Sequence, residues 1–198
     1  MWFWKTENEE GSNVISSHSW SKGLADPNFD PEIFSLPGIE LIYESGKFSE
    51  MIDVFQQQKD ALPADLPKRT DLGVYSMMYS MLKVNELREN YETKNNMKFD
   101  CVIRARFELR FNKWFPDAVF NLENYDLQYL WQSHTNVHPK YGLNDCLAFS
   151  NSSIMSHYMS VYNHINELSL FEGHNPELIT YYHNKHIERR VNQELVGL

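Results

Sequence analysis

Between Val74 and Tyr91 apolar side chains recur at helical spacing: Val74, Met77, Met78, Met81, Val84, Leu87 and Tyr91. Residues three and four apart share one face of a helix, so the spacing predicts a helix over about Asp71 to Lys94. The polar segment TKNNMK closes it, and FDCVIRARFELRF, Phe99 to Phe111, follows at once as an apolar strand. A helix running directly into a strand is half of a βαβ unit. The segment NDCLAFSNSSIMSHYMSVYNHINEL repeats the theme in the other order. Asp145 to Phe149 reads as a strand, and a helix follows through Ile154, Tyr158, Val161, Tyr162 and Ile165. Ser150, Asn151 or Ser152 is its cap. A last helix starts at Pro176, with Asn175 as N-cap and proline in the first helical position. Alternating strands and helices predict an α/β layered fold with a mainly parallel sheet.

The remaining segments carry weaker signals. Met1 to Lys5 looks like the end of a strand, and Ile39 to Glu44 alternates as a short one. SEMIDVFQQQKD fits a helix capped by Ser49, while LENYDLQYLWQS is compatible with helix or strand. The length of 198 residues suits one domain, 1–198, with a substantial core.

The strand FDCVIRARFELRF poses the functional question. Side chains alternate across a strand. Cys101, Ile103, Ala105, Phe107 and Leu109 form one apolar face, expected to be buried. Val102, Arg104, Arg106 and Glu108 form the other. An unpartnered charge in a dry core costs several kcal/mol, on the order of 3–5. Two arrangements avoid that cost. Either the strand is at a sheet edge with this face wet, or the face opens into a cleft at the carboxyl end of the sheet, where open α/β sheets bind ligands. Arginine pairs bidentately with phosphate oxygens, and a nearby carboxylate can hold a hard cation on the same phosphates. Arg-x-Arg-x-Glu is thus suited to a nucleotide diphosphate or a sulfate, with or without a metal.

The segment FDCVIRARFEL resembles the YDYVIRxRxDL strand of bacterial and virus-encoded glycosyltransferase-like proteins, the WavE-type lipopolysaccharide-synthesis proteins among them. SMMYSMLKVNELRENYE, NDCLAFSNSSIMSHY and NPELITYYHNKH resemble three further segments of that family in the same order. The resemblance covers about residues 70 to 190. It implies a GT-A-like, Rossmann-like three-layer sandwich that transfers a sugar from a nucleotide-sugar donor to a glycan hydroxyl in polysaccharide biosynthesis. A divalent cation, Mn or Mg, accompanies the donor in such enzymes. On this resemblance Glu108 takes the metal or the ribose-diphosphate role, at a position where the family usually has aspartate. Arg104 and Arg106 contact phosphate or orient that carboxylate. Ser76, Tyr79 and Lys83 line the donor pocket, and Asp145 is the general base. The residues by themselves also allow a solvated helix face for Ser76, Tyr79 and Lys83, and a turn or cap aspartate for Asp145. MWFWK resembles a segment that follows the family's first strand and glycine-bearing loop, which implies an amino-terminally truncated domain. The alternative function is a non-catalytic nucleotide- or carbohydrate-binding protein on the same fold.

Other features narrow the field. A net charge of −9 argues against a general nucleic-acid binder. The chain has no apolar run of membrane-spanning length, its first residues, MWFWKTENEEG, are not expected to act as a signal peptide, and its two cysteines, Cys101 and Cys146, make no disulfide framework. A cytoplasmic protein is the simplest expectation. Aromatic residues make up 14% of the chain, which suits either a ring-binding surface or an aromatic core. His134 and His138 are four apart, but Pro139 and Gly142 follow and argue against a helical metal pair. His183 and His186 read as a surface pair on the last helix, though the resemblance also allows one of them as a late metal ligand.

Overall fold

The computed structural model of the chain describes residues 2–5, 37, 40, 42, 44–61, 72–106, 122–133, 146–172, 176–187 and 189–192. Met1–Tyr91 and Glu92–Leu198 form two compact units. Among the described residues no helix is long and apolar enough to cross a membrane.

In the first unit β1 (Trp2–Lys5) pairs in parallel with β2 (Glu44–Lys47), in the register Trp2 to Glu44 through Lys5 to Lys47. The second strand thus lies later than the Ile39 to Glu44 expectation; Glu40 and Ile42 belong to no strand. Helix α1 (Phe48–Ala61) follows β2 without a break. Phe55 of α1 meets Tyr75 edge to face, with ring centroids 4.9 Å apart. Edge-to-face packing suits the opposed charge on ring edge and ring face.

Helix α2 (Leu72–Lys94) matches its periodicity. Val74, Met78 and Met81 are buried, as their spacing implies, together with Tyr75 and Asn85. Met77, Val84, Leu87 and Tyr91 are only half-buried, so the buried stripe is turned slightly from the one the apolar residues mark. Asn96 ends the helix in the left-handed region at φ 48°. Its N–H donates to the Thr93 carbonyl and the Met97 N–H to the Glu92 carbonyl. These are the two bonds of a Schellman ending, and asparagine tolerates that conformation better than most residues. The Glu92 side chain, fully buried, accepts from the Phe99 N–H at 3.0 Å and from Lys98 Nζ at 2.7 Å. One glutamate therefore fixes the turn that launches the next strand.

The second unit contains a four-stranded sheet in the order β3 (Val102–Ala105), β5 (Leu147–Ser150), β4 (Leu130–Ser133), β6 (Arg189–Asn192). β5 is antiparallel to both β3 and β4, while β4 and β6 are parallel. The expected α/β character holds in outline, but the mainly parallel sheet does not: two of the three ladders of this sheet are antiparallel. The reason is β4, which forms from the ambiguous LENYDLQYLWQS segment and takes the place beside β5. β5 is thereby reversed between two strands of common direction. Mixed sheets of this kind are frequent in α/β proteins.

Asn151 caps α3 (Ser152–Met159), its Oδ1 accepting from the Ile154 N–H at 2.9 Å. A 3₁₀ turn (Val161–His164) interrupts the single helix that the spacing predicts, and α4 (Ile165–Glu172) continues from it. α5 (Pro176–His183) begins at the proline, as expected; Asn175 lies outside the described residues. Met155, Tyr158, Val161, Ile165 and Ile179 are fully or almost fully buried. α5 packs on α4 and on the 3₁₀ turn.

Candidate functional site

The site grows out of β3. Arg104 is opposite Ala148 of β5, and Ala148 is opposite Gln132 of β4. Directly opposed residues of antiparallel strands point to the same face, so Arg104, Ala148 and Gln132 form one row across the sheet. All three are buried: Arg104 is 9% exposed and Gln132 1%. Ser150, two residues along, shares the face and is fully buried. Its hydroxyl lies 2.9 Å from the Leu127 carbonyl and 2.8 Å from that of Tyr129. Asn151 Nδ2 also donates to the Leu127 carbonyl, which ties the approach to β4 onto the β5–α3 junction.

Neither an open wet face nor an exposed cleft wall describes this row. The face bearing Arg104 is the buried one. The opposite face, expected to be core, leaves Ile103 41% exposed and Ala105 exposed. That second face is covered only in part, by a cluster of Leu147 and Phe149 with Cys101, Tyr125, Leu127 and Trp131. Tyr125 sets its ring edge to face with those of Trp131 and Phe149, at 4.9 and 5.0 Å. Trp131 stacks beside Phe149, and its Nε1–H donates to the Asp126 carbonyl. Neither face of β3 is chosen by polarity alone, because what packs over each face decides.

Arg104 Nη1 is buried and makes no hydrogen bond. Nη1 is thus an unmet donor, which a phosphate oxygen could satisfy, and Gln132 Oε1 in the same row is an unmet acceptor. Arg106, half-buried just beyond the strand, donates its backbone N–H to the Cys146 carbonyl at 3.0 Å and extends the β3–β5 pairing by one residue. Glu108 and Asp145, the residues assigned to metal binding and to proton transfer, lie outside the described residues, as do His134 and His138. Among the described residues no group of three or more His, Cys, Asp or Glu is placed to hold a metal ion.

Ser76, Tyr79 and Lys83 are half-buried on α2, in the other unit. Lys83 Nζ pairs with the Glu86 carboxylate and stands 5.9 Å from the Tyr79 ring centroid. The Ser76 carbonyl accepts from the Ser80 hydroxyl at 2.7 Å. Lys83 is thus engaged along its own helix.

A second polar group escaped the sequence reading. His183 is buried, whereas the sequence suggests a surface pair with His186. It stacks on His157, and the only sequence signal for that is the histidine at the end of each of two helices.

Comparison with protein-family models, with curated proteins and with solved structures finds no match.

Proposed function

We propose that the protein binds the diphosphate of a nucleotide sugar at Arg104 and transfers the sugar to a glycan hydroxyl, on a GT-A-like three-layer fold. The observation that carries this reading is the buried Arg104 guanidinium, whose Nη1 makes no hydrogen bond. Phosphate oxygens supply the charge and the planar acceptor pair that a guanidinium needs. Further support comes from the four segments of residues 70 to 190 that resemble glycosyltransferase-like proteins in order. In the transfer, the acceptor oxygen bonds to the anomeric carbon as the bond from that carbon to the diphosphate breaks. The electron pair leaves on the diphosphate, and the hydroxyl proton goes to the Asp145 carboxylate. Arg104 and Arg106 stabilise the charge that develops on the diphosphate. In this proposal Glu108 would hold a divalent cation, Mn or Mg, which would supply positive charge to the leaving diphosphate.

A second reading, a binding protein without turnover, is favoured by one observation. Lys83 has a carboxylate partner in Glu86 three residues along its own helix, which competes with a phosphate for the ammonium. Thermal shift separates the readings from each other and from error. UDP-, GDP- and dTDP-sugars and inorganic diphosphate are added with and without manganese, because a bound ligand raises the melting temperature by mass action. A shift that is lost in Arg104→Met supports the site, and product formation then distinguishes enzyme from binder. No shift with any donor or with diphosphate rejects the transferase reading and a nucleotide site at Arg104.

A further inference from the structure

His157 lies in the last turn of α3 and His183 ends α5, and their rings lie face to face, 4.4 Å between centroids and 6° from parallel. The contact is reciprocal. His183 Nε2 lies 2.7 Å from the His157 carbonyl, and His157 Nε2 lies 3.1 Å from the His183 carbonyl. A carbonyl only accepts, so each Nε2 carries the hydrogen, which fixes the tautomer of both neutral rings. The His157 carbonyl also takes the Ser160 N–H and the Ser160 hydroxyl, at 3.1 and 2.8 Å. Ser160 Oγ stands 3.4 Å from His183 Nε2. Beyond His183, Asn184 continues the polar end of α5, its N–H and Nδ2 both donating to the Thr180 carbonyl.

We propose that the stacked His157–His183 pair is an acid-sensitive latch, which holds the end of α5 against the end of α3 at neutral pH and opens when the pair takes up a proton. The titratable groups that bear on His183 come from two elements: His157 from α3 and His164 from the 3₁₀ turn, its ring centroid 5.4 Å away. Glu167 of α4 reaches His164 rather than His183, with 3.8 Å between Oε2 and Nδ1. No carboxylate thus compensates a charge on His183 among these groups. A charged His183 would face a parallel imidazole at stacking distance in a buried position. Burial is the main force that pushes its pKa down to about 4; the His157 carbonyl works against this, and the His157 and His164 rings reinforce it.

The sign follows from linkage. The folded chain holds this proton less tightly than the unfolded chain, whose histidine titrates near 6.5. The latch is therefore complete above about pH 6.5 and is lost as the pH falls toward 4. Across that window the contribution of His183 to the folded-to-unfolded ratio falls about tenfold per pH unit, which makes it about 30-fold smaller at pH 5 than at pH 7.5. The latch does not depend on the transferase reading.

Two measurements on the full chain test it. The His183 ring signal, followed by NMR, is expected to titrate well below 6.5 in the wild type. A titration at or above 6.5 overturns the proposal even if no variant folds. Urea unfolding of wild type and His183→Asn is then compared between pH 7.5 and 5. The asparagine amide can still donate to the His157 carbonyl but takes no proton. The expected result is a folded-to-unfolded ratio whose fall from pH 7.5 to 5 is smaller by a factor of about 30 in the variant, with His164→Asn keeping most of the wild-type fall. Equal slopes for wild type and His183→Asn reject the latch.

Discussion

Arg104 is buried at 9% exposure while its neighbour Ile103 stands 41% exposed on the opposite face of β3. An isoleucine in water and an arginine in the interior is the reverse of what transfer free energies favour. The strand tolerates the exposed isoleucine, whose loss of burial costs about 1.5–3 kcal/mol. The buried guanidinium is the larger debt, and it identifies Arg104 as the position to test. Arg104→Met, which fills the volume without the charge, is expected to raise the stability of the ligand-free protein by about 1–4 kcal/mol. On the proposed function, the same change is expected to abolish a thermal shift with diphosphate. A loss of stability in urea unfolding of Arg104→Met would show that the guanidinium is satisfied by the protein itself.

Glu92 gives a graded series. Glu92→Ala removes the acceptor of the Phe99 N–H and the partner of Lys98, and is expected to cost about 2–3 kcal/mol. Glu92→Gln keeps an oxygen for the Phe99 N–H and costs about 1 kcal/mol. Lys98→Ala should cost under about 1 kcal/mol, because Lys98 is 70% exposed and its side of the pair is solvated. Equal effects of the alanine and glutamine variants in denaturant unfolding would mean that the hydrogen bond to Phe99 does not hold the turn.

At Asn96 the backbone decides. Its φ of 48° is close to free for glycine and costs a residue with a Cβ. Asn96→Gly should leave stability unchanged or raise it slightly, while Asn96→Ala lowers it by about 1 kcal/mol. The reverse order in thermal melts would rule out the Schellman ending of α2.

The cap of α3 is worth a separate measurement. Asn151 accepts from Ile154 and donates to Leu127, so it secures both the helix and the segment that leads to β4. Asn151→Ala is expected to cost about 1–2 kcal/mol, and Asn151→Asp, which can cap but cannot donate, an intermediate amount. If Asn151→Asp matched the wild type, the Leu127 contact would contribute nothing.

Cys101 offers a chemical readout. Burial, and then the nearby Asp100, push its pKa above the ordinary thiol value. Less thiolate is present at a given pH, so alkylation by iodoacetamide at pH 8 should be slower than for a free thiol and should quicken in Asp100→Asn. A rate equal to that of a free cysteine would contradict the half-buried setting.

Local physics alone determined much of this protein. The helix of Leu72–Lys94 is written in its spacing, the start of α5 in Pro176, and the cap of α3 in the Ser150–Ser152 group from which Asn151 emerges. Each depends on residues a few positions apart, whose geometry one helical turn fixes. The expected strand after α2 also forms, shorter, as Val102–Ala105. Strand order was not legible, because β4 carries only a short and ambiguous pattern and β6 four residues bearing two arginines. The face of β3 that turns inward was not legible either. Alternation sorts Ile103 from Arg104, but the choice of inner face belongs to the layer that packs above it. The meeting of His157 with His183 is of the same kind: two helix ends distant in the chain, brought together only by the packing of α5 on the elements that follow α3.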